Sequence, residues 1–175
     1  SFDLVKFDSM SGELIVKYDK DYLQMDFPHR NPVCAELPTN IYESLSIKPK
    51  EILKSRDYVL VYENEDQIKN INIDKELFDK KNIDPGGVVI TAKGNNSDFV
   101  SRYFVPQCSF FEDPVTGSTH CSLVPYWSKK LGKQKLTSMQ LSERGGEMFC
   151  IDKGDRVLIN GKAQTYSVGK VFLKN

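Results

Sequence analysis

The chain has 175 residues, 39% of them apolar, with 10 Phe and 8 Tyr to fill a core, which suits one ordinary domain or one and a half small ones. Lys plus Arg and Asp plus Glu are balanced at 24 each, so the charge leaves no footprint for nucleic acid or an anionic membrane. No apolar run reaches the length that spans a bilayer, and the opening SFDLVKFDSMSGELIV does not read as a signal peptide, because an aspartate and a lysine interrupt it and no small-residue cleavage site follows.

The first segment predicts strands. Residues 2–7 alternate Phe2, Leu4 and Lys6 against Asp3, Val5 and Phe7; Ser9-Met10-Ser11-Gly12 supplies turn chemistry; residues 13–18 and 22–27 follow as strands, the last ended by Pro28. Prolines at 28, 32 and 38 predict an extended connector over 29–38. A short helix over 39–45 is expected with Thr39 as its N-cap, and Pro49 is read as opening another helical turn through Leu53. Residues 58–62 (YVLVY) form a strand, 65–70 one or two amphipathic helical turns, and Asp74 caps a helix through Lys81 with Leu77 and Phe78 inward. After a turn at Asp84-Pro85-Gly86-Gly87, strands are expected over 88–92 and 98–105, the second with Phe99, Ser101 and Tyr103 on one face. Asn95-Asn96-Ser97 fits a glycosylation sequon and is read as a polar turn.

The longest helix is expected over 117–131. Leu123, Val124, Trp127 and Leu131 form its apolar stripe, broadened by Cys121 and Tyr126, and Lys129, Lys130 and Lys133 suit its C-terminal dipole. Strands then return over 136–141, 147–151, 156–159 and 163–173, with Gly145-Gly146, Lys153-Gly154 and Asn160-Gly161 as hairpin turns. This order gives an α+β fold with a mixed sheet curled around a central helix. Four cysteines (Cys34, Cys108, Cys121, Cys150) without a C-x-x-C pair, and two histidines, His29 and His120, support zinc poorly, so no metal is expected. Reduced, half-buried thiols in a cytoplasmic protein are the expectation.

Chemistry concentrates in Glu112-Asp113-Pro114-Val115-Thr116-Gly117-Ser118-Thr119-His120. Two acids precede a proline turn, and a small trio leads into the helix. The first amides of a helix lack internal partners and favour an anion. Gly117 admits a ligand close to the backbone, Ser118 and Thr119 add hydroxyls, and a neighbouring acid can move a proton. On residue types alone two readings stand: a carboxylate or phosphate pocket, or plain turn and capping chemistry with Asp113 or Thr116 as the cap. His120 reads as a helical residue satisfied by a local bond. Cys121 reads as a packed thiol rather than a nucleophile. Trp127 and Tyr126 read as core residues. Arg144 either pairs with a substrate carboxylate or holds Glu143 or Glu147.

The run Glu112–Cys121, with Phe104-Val105-Pro106 before it and Pro125-Tyr126-Trp127, Leu131-Gly132-Lys133 and Gln140–Glu147 (QLSERGGE) after it, resembles PhzF-like isomerases, proteins similar in fold to diaminopimelate epimerases. Leu23–Pro28, Thr91–Gly94, Asp98–Phe104, Asp155-Arg156-Val157 and Gly161-Lys162-Ala163 extend the likeness over nearly the whole chain. The resemblance implies two similar α/β lobes with a cleft between them. It also implies proton transfer on a small carboxylated molecule without metal, nucleotide or other cofactor. Asp113 would be the catalytic acid, and Gly117, Ser118, Thr119 and His120 would bind substrate together with a cleft-wall loop at Gly145 and Gly146.

The family's N-terminal half contributes a catalytic glutamate and a Gly-His-Ala-Thr-type segment, and neither is present here, so the chain is read as the C-terminal half. Residues 1–28 would then border the N-terminal lobe, 29–165 form the C-terminal domain, and 166–175 provide a strand crossing back. The apolar faces of Phe2, Leu4, Val168, Val171 and Phe172 need a cover: a second chain, a homodimer partner or the absent half. The alternative reading is an inactive truncated paralogue or fragment that dimerises or binds a partner.

Overall fold

The computed structural model describes residues 3–19 and 21–172. Alternation of apolar residues organises it into one sheet of twelve strands. In chain order these are β1 (Leu4–Ser9), β2 (Gly12–Asp19), β3 (Tyr22–Pro28), β4 (Val33–Cys34), β5 (Glu51–Lys54), β6 (Tyr58–Val61), β7 (Val88–Lys93), β8 (Phe99–Phe104), β9 (Glu112–Asp113), β10 (Lys135–Gln140), β11 (Gly146–Asp152) and β12 (Arg156–Gly161). The helices are α1 (Thr39–Ser44), α2 (Glu65–Asn70), α3 (Lys75–Phe78) and α4 (His120–Leu131), the last entered through a 3-10 turn at Gly117–Thr119. The sheet runs β1-β2-β3-β12-β11-β10-β8-β7-β6-β5-β4, with β9 added beside β8. Its pairs are antiparallel except β6–β7 and β8–β10. Each parallel pair is joined by a helical crossover, as parallel pairing requires: α2 and α3 for the first, α4 for the second.

The pleat sends alternate residues to two cores. Leu60, Val88, Ile90, Ala92, Val100 and Phe104 face Ile41, Leu45, Ile68 and Phe78 of the short helices. Val59, Val61, Val89, Phe99 and Tyr103 face Leu123, Val124 and Trp127 of α4, which also meets Leu136, Met148, Cys150, Val157 and Ile159 from β10, β11 and β12. Strands from both arms of the sheet thus close on α4, the curled α+β arrangement expected from the sequence. The Trp127 indole donates to Thr91 Oγ1 at 3.0 Å, which satisfies its one polar group inside the core.

Both ends of α4 are explained by its sequence. Gly132 takes the left-handed conformation (φ 67°) and its N–H returns to the Ser128 carbonyl, a glycine stop. Pro125 lies inside the helix and has no N–H for the carbonyl of Cys121. That carbonyl accepts the Arg30 N–H instead, at 2.8 Å, which straps the connector before β4 to the first turn of α4.

Several local expectations are corrected. Residues 51–54 are strand, not helix, because Ile52 and Leu53 pair with Leu60 and Val59 of β6. Pro38 holds the N-cap position of α1 without a side-chain cap, which moves Thr39 inside the helix. Asp74 caps α3 through Leu77 N–H, but that helix stops at Phe78, where Asp79 N–H turns back to the carbonyls of Lys75 and Leu77. Asn160 and Gly161 are the end of β12, paired with Gln24 and Leu23, rather than a hairpin turn. Residues 163–172 form no strand, and of the strand expected over 163–173, position 173 lies outside the described residues, as does Phe2. No described helix is long and apolar enough to cross a membrane.

Candidate active site

The site is assembled where the chain leaves β8, turns through β9 and enters α4. Asp113 pairs with Tyr103 across the β8–β9 ladder, so both residues stand on the α4 side of the sheet. Its carboxylate Oδ2 accepts the Thr116 hydroxyl at 2.5 Å. Gln140, buried at the end of β10, clamps the turn from behind. Its Oε1 accepts Thr116 N–H at 2.7 Å, and its Nε2 donates to the Asp113 carbonyl at 2.7 Å and to Thr116 Oγ1 at 3.2 Å. A side-chain amide is suited to this because it carries acceptor and donor together.

The loop after β10 is tied to the same turn. The Ser142 hydroxyl donates to the Pro114 carbonyl at 2.6 Å and accepts Gly145 N–H at 3.1 Å. Gly145 has φ 69°, a conformation that favours glycine. At Gly146 a Cβ would lie 2.5 Å from a methyl of Val115, so the strand can approach the turn only with glycine there. Between these segments and β3 opens a cleft of about 740 Å³, whose lining includes Met25, Val115, Gly117, Arg144, Gly145 and Gly146. A smaller cleft of about 410 Å³ lies beside it against Glu112, Pro114 and Ser142, and Arg144 borders both. Among the described residues, no acceptor takes the N–H groups of Gly117 and Ser118, which leaves two backbone donors at the helix entrance.

On the other side of the entrance stands a polar cluster that sequence reasoning missed. Asp57 is 2% exposed. Its carboxylate accepts Tyr103 Oη at 2.9 Å, Gly87 N–H at 2.9 Å and the Arg56 fork at 3.0–3.3 Å. Burial pushes the Tyr103 phenol well above its usual pKa, and the neighbouring Asp57 adds to the shift, so Tyr103 stays a donor. Arg56 Nη2 in turn donates to Ser118 Oγ at 3.2 Å. Arg56 and Ser118 are 62 positions apart, and no local pattern in the sequence marks the pair.

The expected site residues therefore separate. Gly117, Gly145 and Gly146 share the larger cleft. Asp113 and Ser118 do not line it: the Asp113 carboxylate holds Thr116 in the turn before Gly117, and Ser118 faces Arg56. The Thr119 hydroxyl is buried and donates to the Thr116 carbonyl at 2.8 Å. His120 is fully buried; Nδ1 lies 3.1 Å from the Thr116 carbonyl and Nε2 2.9 Å from Ser138 Oγ. Since a carbonyl only accepts, Nδ1 carries the proton and Nε2 accepts the Ser138 hydroxyl. Burial lowers the His120 pKa to about 4, against the opposing bond to Thr116, so the ring is neutral at pH 7. Cys121 is buried too, and burial raises its thiol pKa while the positive Arg30 and Arg56 work the other way. Among the described residues, no group of three His, Cys, Asp or Glu side chains is placed to hold a metal ion.

Known proteins share this arrangement of chain and fold. Two proteins of Pseudomonas aeruginosa named uncharacterized isomerases are 41% and 39% identical over 97% of this chain, which spans 65% and 64% of their lengths. A crystal structure of a phenazine biosynthesis protein of the PhzF family from Enterococcus faecalis superposes with a TM-score of 0.85 at 36% identity, over 99% of this chain and 66% of that one. A second, described as a putative phenazine biosynthesis PhzC/PhzF protein from Clostridium difficile, gives a TM-score of 0.83 at 37% identity, over 98% and 66%. The PhzC-PhzF family, described as phenazine biosynthesis-like protein, matches residues 5–169, a span that takes in every strand from β2 to β12 and all of the candidate site, and the chain belongs to that family.

Proposed function

We propose that this chain carries one wall of an isomerase site that moves a proton on a small carboxylated metabolite, with no metal, nucleotide or other cofactor. The observation that carries the reading is the Asp113 carboxylate, held by Thr116 one turn before the Gly117 and Ser118 amides, which no described residue accepts, with Gly117 itself lining the glycine-bordered cleft. The substrate carboxylate would lie against the Gly117 and Ser118 amides, with the Ser118 hydroxyl beside them and the Thr119 and His120 side chains holding the turn from inside. Gly145 and Gly146 leave room for the substrate, and Asp113 gives or takes the proton. The isomerase names of the relatives support the reaction class. The two-lobed, diaminopimelate epimerase-like architecture and the place of this chain as its C-terminal part belong to the same proposal. In that architecture the opposite wall comes from the remainder of a full-length protein or from a second copy in a homodimer.

The test is deuterium incorporation from D2O into a panel of small carboxylic acids, read by mass spectrometry with the full-length protein. Asp113→Asn should lower incorporation by roughly a hundredfold or more with an unchanged melting temperature. Undiminished incorporation removes Asp113 from the mechanism. A second reading, a non-catalytic module that binds through its uncovered strands, is favoured by Phe7, 51% exposed, and by Val168 and Phe172, 91% and 88% exposed. Light scattering of the 175-residue chain tests the homodimer form of the first reading: a strict monomer leaves the opposite wall to the remainder of a full-length protein.

A further inference from the structure

We infer that Arg56 is a positioning residue which, through Ser118, turns the entrance of α4 into a three-donor anion receptor. The inference rests on the carboxylate-binding reading above. A guanidinium has no acceptor, so in the 3.2 Å contact Arg56 Nη2 donates and Ser118 Oγ accepts. The hydroxyl proton of Ser118 is then turned away from Arg56, and among the described residues no acceptor takes it. Ser118 thereby joins the Gly117 and Ser118 amides as a third donor. Without Arg56 the hydroxyl is free to rotate.

Arg56 is suited to this because it is itself immobilised. Asp57 grips it through two nitrogens, and Asp57 is locked by Tyr103 and Gly87. The Arg56–Asp57 pair is close to neutral in sum, so its contribution to an anion is orientation rather than bulk positive charge. A charge-keeping replacement tests that distinction. Lysine can still accompany Asp57, but it lacks the planar fork that reaches both Asp57 and Ser118.

The experiment is a titration of the 15N-labelled 175-residue chain with sodium sulfate at constant ionic strength, following the backbone amides of Gly117 and Ser118. Saturable shifts are expected in the parent. Ser118→Ala and Arg56→Lys should each weaken sulfate binding roughly tenfold, the scale of one charge-assisted hydrogen bond. The double variant should be no weaker than Ser118→Ala alone, within about twofold, because Arg56 acts only through that hydroxyl. Arg56→Lys binding sulfate like the parent overturns the inference and leaves the site reading intact. So does a full further loss from Arg56→Lys in the Ser118→Ala background, which would mark a general structural effect. No saturable shift in the parent overturns the site reading and this inference with it.

Discussion

Strands β1 and β7 have the same length and similar apolar content, yet they meet opposite fates. Five of the six residues of β7 are buried, whereas all six of β1 are exposed. β7 lies between β6 and β8, with α4 on one face and the short helices on the other. Among the described residues β1 pairs only with β2, at the sheet's edge. The apolar pattern is enough to make both into strands; what covers a strand depends on sequence far away. Leu4 and Phe7 therefore carry a different energetic weight from Val89 and Phe99, although the residue types are interchangeable.

This contrast can be broken most sharply at Phe99, which is 0% exposed and stacked on Trp127 at 5.9 Å between ring centroids. Phe99→Ala should cost about 3–5 kcal/mol in urea denaturation; a loss below about 1 kcal/mol would mean that the α4 core tolerates cavities like a surface. Next in size is the acid response of the same core. His120 is neutral when folded until about pH 4, while in the unfolded chain it protonates around the ordinary histidine value of 6.5. The unfolded state therefore takes up a proton first as pH falls, and stability declines between these two values by about 3 kcal/mol. His120→Gln should flatten the curve of unfolding free energy over that window, and an unchanged slope would place its cause elsewhere. The smallest effect is expected in the ribbon: Phe7→Ala should stay within about 0.5 kcal/mol of the parent. A larger loss that grows with protein concentration would show that β1 is covered in solution, and would reverse the contrast.

The same contrast governs what could be read in advance. Strands β6, β7 and β8 announce themselves through alternation, and α4 through its stripe and its glycine stop, because both signals are local. Residues 51–54 deceived because Pro49 resembles a helix start, while pairing with β6 decided the outcome. Residues 163–172 have strand-like composition but no ladder partner among the described residues. At the site, the Asp113–His120 run is contiguous and was legible. Gln140 lies within the QLSERGGE likeness, yet its clamping role depends on which strand β10 comes to rest beside. Arg56 and Asp57 sit at a β5–β6 turn of ordinary composition, and only the fold carries them to Ser118.

The locked carboxylate of Asp57 also restricts how such a chain can drift. A Cβ at Gly87 would fall 2.6 Å from the Tyr103 oxygen, and one at Gly86 would fall 2.5 Å from the Arg56 carbonyl. Replacing Asp57 strands a phenol, an amide and a guanidinium at once, while replacing either glycine forces the hub apart. Positions 56, 57, 86, 87 and 103 thus form a single mutational unit. A change at one of these positions is therefore disfavoured unless its partners change with it.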